Sequence, residues 1–198
     1  SMTDRRKPHI LWGITASVAA IRSPLLLHAL RGLGDVQAVA TENAGHFLDE
    51  WPADVPLLHD ADEWAQWSKL GDPVLHIELR RWADVFVIAP LSADSLAKIS
   101  TGICDNLLLS AARAWDFAKP MIVAPAMNTL MWEHPATRSQ LATLRDWGVA
   151  VVDPVTKKLA CADVGVGALA PPDVVVEAVR KALDAGPPAS PAAGQSEV

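Results

Sequence analysis

Three side chains in this sequence have the types and settings to move protons or grip a small molecule. They are a histidine heading a charged run, an asparagine between methionines and a cysteine among glycines. His76 opens HIELRRWAD, where Glu78 and Arg80 are placed to orient its ring and Asp84 leads into the next apolar run. An imidazole is the natural proton carrier near neutral pH. On spacing alone, His9, His28, His46, His59 and His134 are equal competitors, and most lone histidines serve packing. Asn128, in PAMNTLM, sets a directional amide between Met127 and Met131 just past an apolar strand, which suits a small ligand with one polar end. An asparagine in a turn is the plain alternative. Cys161 lies in KKLACADVGVGALA, whose glycines permit a mobile or tightly turning segment, so a flap carrying a reactive thiol is expected. Cys104, by contrast, is expected on the apolar face of a helix as buried filler.

Two further segments have the character of anion sites. Gly13 to Val18 (GITASV) places small side chains where a strand turns into a helix, so that backbone N–H groups and the positive helix end would meet an anion. A phosphate fits, with Ser17 as its side-chain partner. The segment lacks the full G-x-G-x-x-G pattern, and an ordinary structural turn explains the same residues. Ala89 to Asn106 begins with a proline expected to stop the strand, and Ser92 or Asp94 would cap the helix that follows.

The elements that must position these residues alternate in type. His9 to Gly13, Val36 to Ala40, Val85 to Ile88, Met121 to Ala124 and Val149 to Val152 read as buried strands. Helical patterns run through Ala19, Ile21, Leu25, Leu26 and Leu30, from Ser95 to Ala114 and from Thr137 to Trp147. Such alternation predicts a doubly wound α/β fold, a parallel sheet with helices on both faces in three layers. Its ligand crevice lies beyond the carboxyl ends of the strands, and the chemically suggestive segments all follow strand ends.

Composition bounds what this fold can be for. A chain of 198 residues, 51% hydrophobic, predicts a single domain over 8–185, with a disordered Pro-, Ala-, Gly- and Ser-rich tail over 186–198. The net charge of −6 is spread along the chain, and its short basic clusters carry no interleaved aromatics, so nucleic acid is not an expected partner. Two cysteines and no secretory h-region predict a cytoplasmic protein, and no metal site is expected. No apolar run reaches the roughly 20 residues of a membrane-spanning helix.

The strings HIELRRWADVFVIAPLS, GICDNLL, RAWD, KPMIVAPAMNTLMWEHP and KKLAC, in this order and spacing, resemble the flavin-containing cysteine decarboxylases. The likeness runs from about Pro8 to Leu183 and is strongest to the branch acting on phosphopantothenoylcysteine. It implies a Rossmann-like (flavodoxin-like) subunit assembled as homotrimers, and further as dodecamers, with FMN near subunit contacts. It also implies oxidation of a terminal cysteine followed by loss of CO₂ to give an enethiol. By position, the resemblance assigns His76 as base, Asn128 as the amide on the substrate carboxylate, and Cys161 as a proton donor in a final reduction. FMN contacts carried over are Ala16, Ser17, Val18, Asn43, Ser92, Ala93, Asp94, Ser95 and Ala124; substrate contacts are Asn128, Met131, Lys158, Ala160 and Leu169.

Departures from the family pattern are Ala16 for Gly, Asp94 for Asn and Ser95 for Thr, Ala162 for Gly, Leu169 for Met and Pro171 for Glu. Because several fall in the segment that would clamp the substrate, the sequence leans toward the C-terminal cysteine of a ribosomal peptide as substrate. Phosphopantothenoylcysteine, in coenzyme A biosynthesis, is the alternative, favoured by the retained Cys161. A non-catalytic regulatory flavoprotein is a third reading, against which His76, Asn128 and Cys161 speak together.

Overall fold

Strand β1 (His9–Ile14) lies at the centre of a parallel sheet, flanked by β2 (Asp35–Ala40) and β4 (Val85–Leu91). Outside these lie β3 (Leu57–Leu58) against β2, and β5 (Met121–Pro125) then β6 (Ala150–Val151) beyond β4, giving the six-stranded order β3-β2-β1-β4-β5-β6. This computed structural model describes residues 6–48, 50–158 and 164–186. The strand order reverses between β1 and β4, the place where doubly wound sheets open a ligand crevice. The predicted Rossmann-like α/β class is therefore the one observed.

Side chains alternate along the strands, and the central strands β1, β4 and β5 are buried on both faces. Ile10, Trp12, Ile14, Val85, Val87 and Ala89 join the core on one face, where helices α1 (Ser23–Arg31) and α8 (Pro172–Ala185) add Leu26, Leu27, Leu30, Val175 and Val179. Leu11, Phe86 and Ile88 point to the other face. There α3 (Leu75–Trp82), α4 (Ala93–Thr101), α5 (Leu107–Arg113) and α7 (Pro135–Asp146) bring Leu79, Leu96, Leu108 and Leu144. Each such side chain contributes about 1.5–3 kcal/mol on burial, so the two-sided packing is what fixes the strands in place. Two shorter helices, α2 (Asp60–Ala65) and α6 (Thr129–Glu133), sit in the connections after β3 and β5.

Several expectations are corrected. Pro90 does not end its strand. β4 continues to Leu91, because the register against β5 shifts between Ile88 and Leu91 and the residue without an N–H falls in that irregularity. The single helical stretch expected over Ser95 to Ala114 is two helices. Gly102, at φ +81°, terminates α4 in a conformation that favours glycine, and Asn106 caps α5 by accepting from the Leu109 N–H at 2.8 Å. Cys104 consequently lies in the exposed connection and not in the core. After β1 the chain forms a 3-10 turn over Val18–Arg22 before α1 starts at Ser23-Pro24, leaving Ile21 and Leu25 65% and 60% exposed.

The start of the sheet is tied by charge. Arg6 donates to both oxygens of Asp84 (2.8 and 3.0 Å), which also accepts the His9 N–H at 2.8 Å, and the His9 ring stacks on Trp82. Burial pushes the Asp84 carboxyl up, but these hydrogen bonds and the attraction of Arg6 and His9 outweigh it and hold the group below the ordinary carboxylate range. Among the described residues no helix is long and apolar enough to cross a membrane, and no group of three or more side chains could hold a metal ion.

Candidate active site

Hydrogen bonds lace the strand exits into one ledge. The Thr41 N–H, just past β2, donates to Ile14 O of β1 at 3.0 Å, and the Ala126 N–H, just past β5, donates to Leu91 O of β4 at 3.1 Å. The link between β1 and β4 is Thr15, which is fully buried. Its hydroxyl donates to Pro90 O and accepts from the Ser92 N–H, both at 2.8 Å. With the Thr15 N–H, which also donates to Pro90 O at 3.3 Å, this side chain holds the Ala16–Val18 turn against the Ser92–Ser95 turn. Reading the sequence as small turn residues missed that role, since the partners are more than seventy positions away.

The predicted anion-site residues are spread over this ledge. Ser17 caps the 3-10 turn by accepting from the Ala19 N–H (3.2 Å), and Ser92, not Asp94, caps α4 by accepting from the Ser95 N–H (3.2 Å). Ala16, Ser17, Ser92 and Ala93 are half-buried, Ser95 and Ala124 buried, and Val18, Asn43 and Asp94 exposed. The charge of Asp94 is partnered: Lys98 lies 3.3 Å from it and 3.2 Å from Asp105. Asp105 first, then Asp94, hold the Lys98 ammonium above its ordinary value. At the β2 exit the Thr41 hydroxyl is buried with no hydrogen-bond partner among the described residues. A polar ligand atom reaching the ledge would satisfy it, and the small side chains of Ala16 and Ala93 leave room for close backbone approach. The residues present therefore fit a phosphate-bearing cofactor such as FMN.

Asn128 leaves β5 on a turn held by a second, separate sheet. Strands β7 (Val155–Lys158) and β8 (Val164–Ala168) pair antiparallel, and β8 docks its backbone on that turn. The Met127 N–H donates to Gly167 O at 2.9 Å, and the Thr129 hydroxyl to Val166 O at 2.7 Å. A Cβ on Gly167, at φ +137°, would lie 2.1 Å from Met127 O. The glycines expected to give a flap its freedom thus also permit the seam that anchors it. Asn128 is exposed and caps α6 by accepting from the Leu130 N–H at 3.0 Å. Met131 is exposed on α6 and Leu169 packs half-buried against the α1 and α8 side of the core. Lys158 ends β7, but its side chain lies outside the described residues, as do Ala160, Cys161 and the predicted tail beyond 186.

His76 stands on the first turn of α3, 27% exposed. Its orienting partner is not Glu78 or Arg80: Nδ1 lies 2.5 Å from Oε1 of Glu63 on α2, while Glu78 pairs with Arg81 and Arg80 donates to Ala114 O. Two competing histidines have structural work instead. The His9 Nδ1 meets Trp82 O at 3.0 Å, and the His134 Nδ1 accepts from the Ala136 N–H to cap α7.

A doubly wound sheet with a cradle of small and hydroxyl side chains at its switch point defines a nucleotide-cofactor protein. The chain belongs to the Flavoprotein family, whose model matches residues 1–184. It is 52% identical over 180 residues to phosphopantothenoylcysteine decarboxylase of Arabidopsis thaliana, spanning 90% of this chain and 86% of that one. It is 48% identical over 183 residues to phosphopantothenoylcysteine decarboxylase of Mus musculus, spanning 91% and 90%. Among solved structures, a cysteine-to-serine mutant of PPC decarboxylase complexed with pantothenoylaminoethenethiol superposes with a TM-score of 0.88 at 51% identity over 90% of this chain and 100% of that one. The FMN-dependent cysteine decarboxylase SpaF gives a TM-score of 0.74 at 29% identity, over 90% and 97%. The cofactor is FMN, and the reaction class is cysteine decarboxylation.

Proposed function

We propose that this protein decarboxylates phosphopantothenoylcysteine to phosphopantetheine. The observation that carries the reading is 52% identity across 90% of the chain to a phosphopantothenoylcysteine decarboxylase, against 29% to SpaF. Two of the departures that leaned toward a peptide have settings of their own in the fold. Leu169 packs against the core, and Pro171 immediately precedes α8, where its carbonyl accepts the Val174 N–H at 3.0 Å. Neither needs a new substrate to account for it.

Bound FMN would supply a two-electron oxidation of the substrate's cysteine side chain. It would be held by the Ala16–Val18 turn, Asn43, Ser92–Ser95 and Ala124. The chain's own residues do the rest. His76 takes the proton of the substrate thiol at Nε2, leaving the electron pair on sulfur. Asn128 holds the carboxylate through its amide until CO₂ leaves, and the thiocarbonyl of the oxidised cysteine receives the electron pair of the broken C–C bond. Met131 and Leu169 supply apolar contact, Ala160 backbone contact and Lys158 a cation toward an anionic substrate. Cys161 delivers a proton in the closing reduction to the saturated aminoethanethiol.

The test is to incubate the flavin-loaded protein with phosphopantothenoylcysteine and, separately, with short peptides ending in cysteine, and to follow mass. A loss of about 44 mass units from phosphopantothenoylcysteine, with peptides unchanged, is expected; a loss of about 46, CO₂ plus two hydrogens, would mark release before reduction. Turnover of the peptides with phosphopantothenoylcysteine left intact would refute the assignment.

A further inference from the structure

Glu63 is a half-buried carboxylate beside His76 with one of its two oxygens unspent. Its side chain is 17% exposed, Oε1 lies 2.5 Å from Nδ1 of His76, and Oε2 is buried without a partner among the described residues. We infer that Glu63 is a positioning residue for the proposed reaction: it fixes the ring and the tautomer of His76 so that Nε2 presents its lone pair to the substrate thiol. The inference rests on His76 acting as the base.

Chemistry sets the tautomer. An ionised carboxylate only accepts hydrogen bonds, so the proton of a neutral imidazole facing Oε1 sits on Nδ1. Nε2 then has a free pair, and no hydrogen bond engages it among the described residues. When the thiol proton arrives at Nε2, the new positive charge forms against an oxygen already in place, so little reorganisation accompanies the transfer. This is the logic by which a carboxylate behind a histidine orients it in hydrolase triads, here in a different fold.

Both partners stand on supports that hold them still. α2 is locked at its start by the His59 N–H donating to Asp62 Oδ2 (2.7 Å), and Asp60 Oδ1 accepts the Leu107 N–H (3.0 Å), which pins α2 to the head of α5. α3 buries Leu75 and Leu79 in the same core.

Three variants of the FMN-loaded protein test this: Glu63→Leu, Glu63→Gln and His76→Asn, each assayed with phosphopantothenoylcysteine. Imidazole nitrogen shifts are recorded on ¹⁵N-histidine-labelled protein. Glu63→Leu should lower kcat on the order of 100-fold with KM little changed, and move the His76 proton to Nε2. Glu63→Gln keeps shape and an acceptor and should recover part of the loss. Parental kcat and tautomer in Glu63→Leu, with His76→Asn inactive, overturn the inference and leave the proposed function standing. Parental kcat in His76→Asn overturns the proposed base and this inference with it. Equal losses in both Glu63 variants with the tautomer unchanged show a merely structural role and also overturn it. Should Glu63→Leu fail to fold, Glu63→Gln decides: a lower kcat at constant KM supports the inference and a parental kcat refutes it.

Discussion

Replacing Gly167 with alanine should separate the two-stranded arm from the turn that carries Asn128. The added Cβ would lie 2.1 Å from Met127 O, whereas a carbon and a carbonyl oxygen settle no closer than about 3.3 Å. The backbones must therefore part by about 1 Å. The φ of +137° adds strain for any L side chain, and the Met127 N–H loses its bond to Gly167 O, together about 2–4 kcal/mol. Because β7 and β8 form their own sheet, undocking the arm releases this strain more cheaply than unfolding the domain. Melting temperature should fall by only a few degrees, while kcat/KM for phosphopantothenoylcysteine falls on the order of 100-fold, as a 1 Å misplacement of a positioning group does. Thermal unfolding and steady-state kinetics on the same flavin-loaded preparation read both. Parental kcat/KM would refute the coupling between arm and site, and parental kinetics with a parental melting temperature would refute the close approach itself.

Two other outcomes follow from the same contacts. Thr15→Val should cost about 1–3 kcal/mol, since the half-buried Ser92 N–H loses its acceptor, and should weaken FMN retention on dialysis; Thr15→Ser should restore both, as thermal unfolding and the flavin absorbance will report. For Asp84, the folded-state value lies below the ordinary 3.8, so the carboxylate contributes stability above that value and loses it as pH falls through the folded one. Asp84→Asn should therefore be less stable than the parent at neutral pH and converge with it in acid, measured as urea midpoints across pH 2–7.

The parallel sheet was legible because its strands are continuous apolar runs closed by turn residues, as in VFVIAP and MIVAP. Their two-sided burial leaves no other place for them. What local pattern hid were devices whose partners are distant. Nothing near Thr15 in the sequence points to Pro90 and Ser92, and nothing near His76 distinguishes Glu63, thirteen positions back, from Glu78, two positions on. Gly102 was weighed as one residue in a helical run, although its left-handed conformation divides α4 from α5 and brings Cys104 to the surface. The resemblance supplied Asn128 and Cys161 with roles that spacing alone left open. The leaning toward a peptide substrate rested in part on Leu169 and Pro171, whose settings against the core and just before α8 only the fold displays.

The seam between β8 and the Met127–Thr129 turn has a practical corollary for anyone wishing to retarget the enzyme. An arm docked through the Met127 N–H and the Thr129 hydroxyl is a poor hinge for admitting a bulkier acyl group, because every increment of outward swing strips these two donors of their acceptors. Room has to be created by side-chain identity instead. Libraries confined to the proposed contacts Met131, Lys158 and Leu169, with both glycines of the GVG stretch left untouched, would vary the shape offered to the incoming molecule while keeping its geometric reference frame.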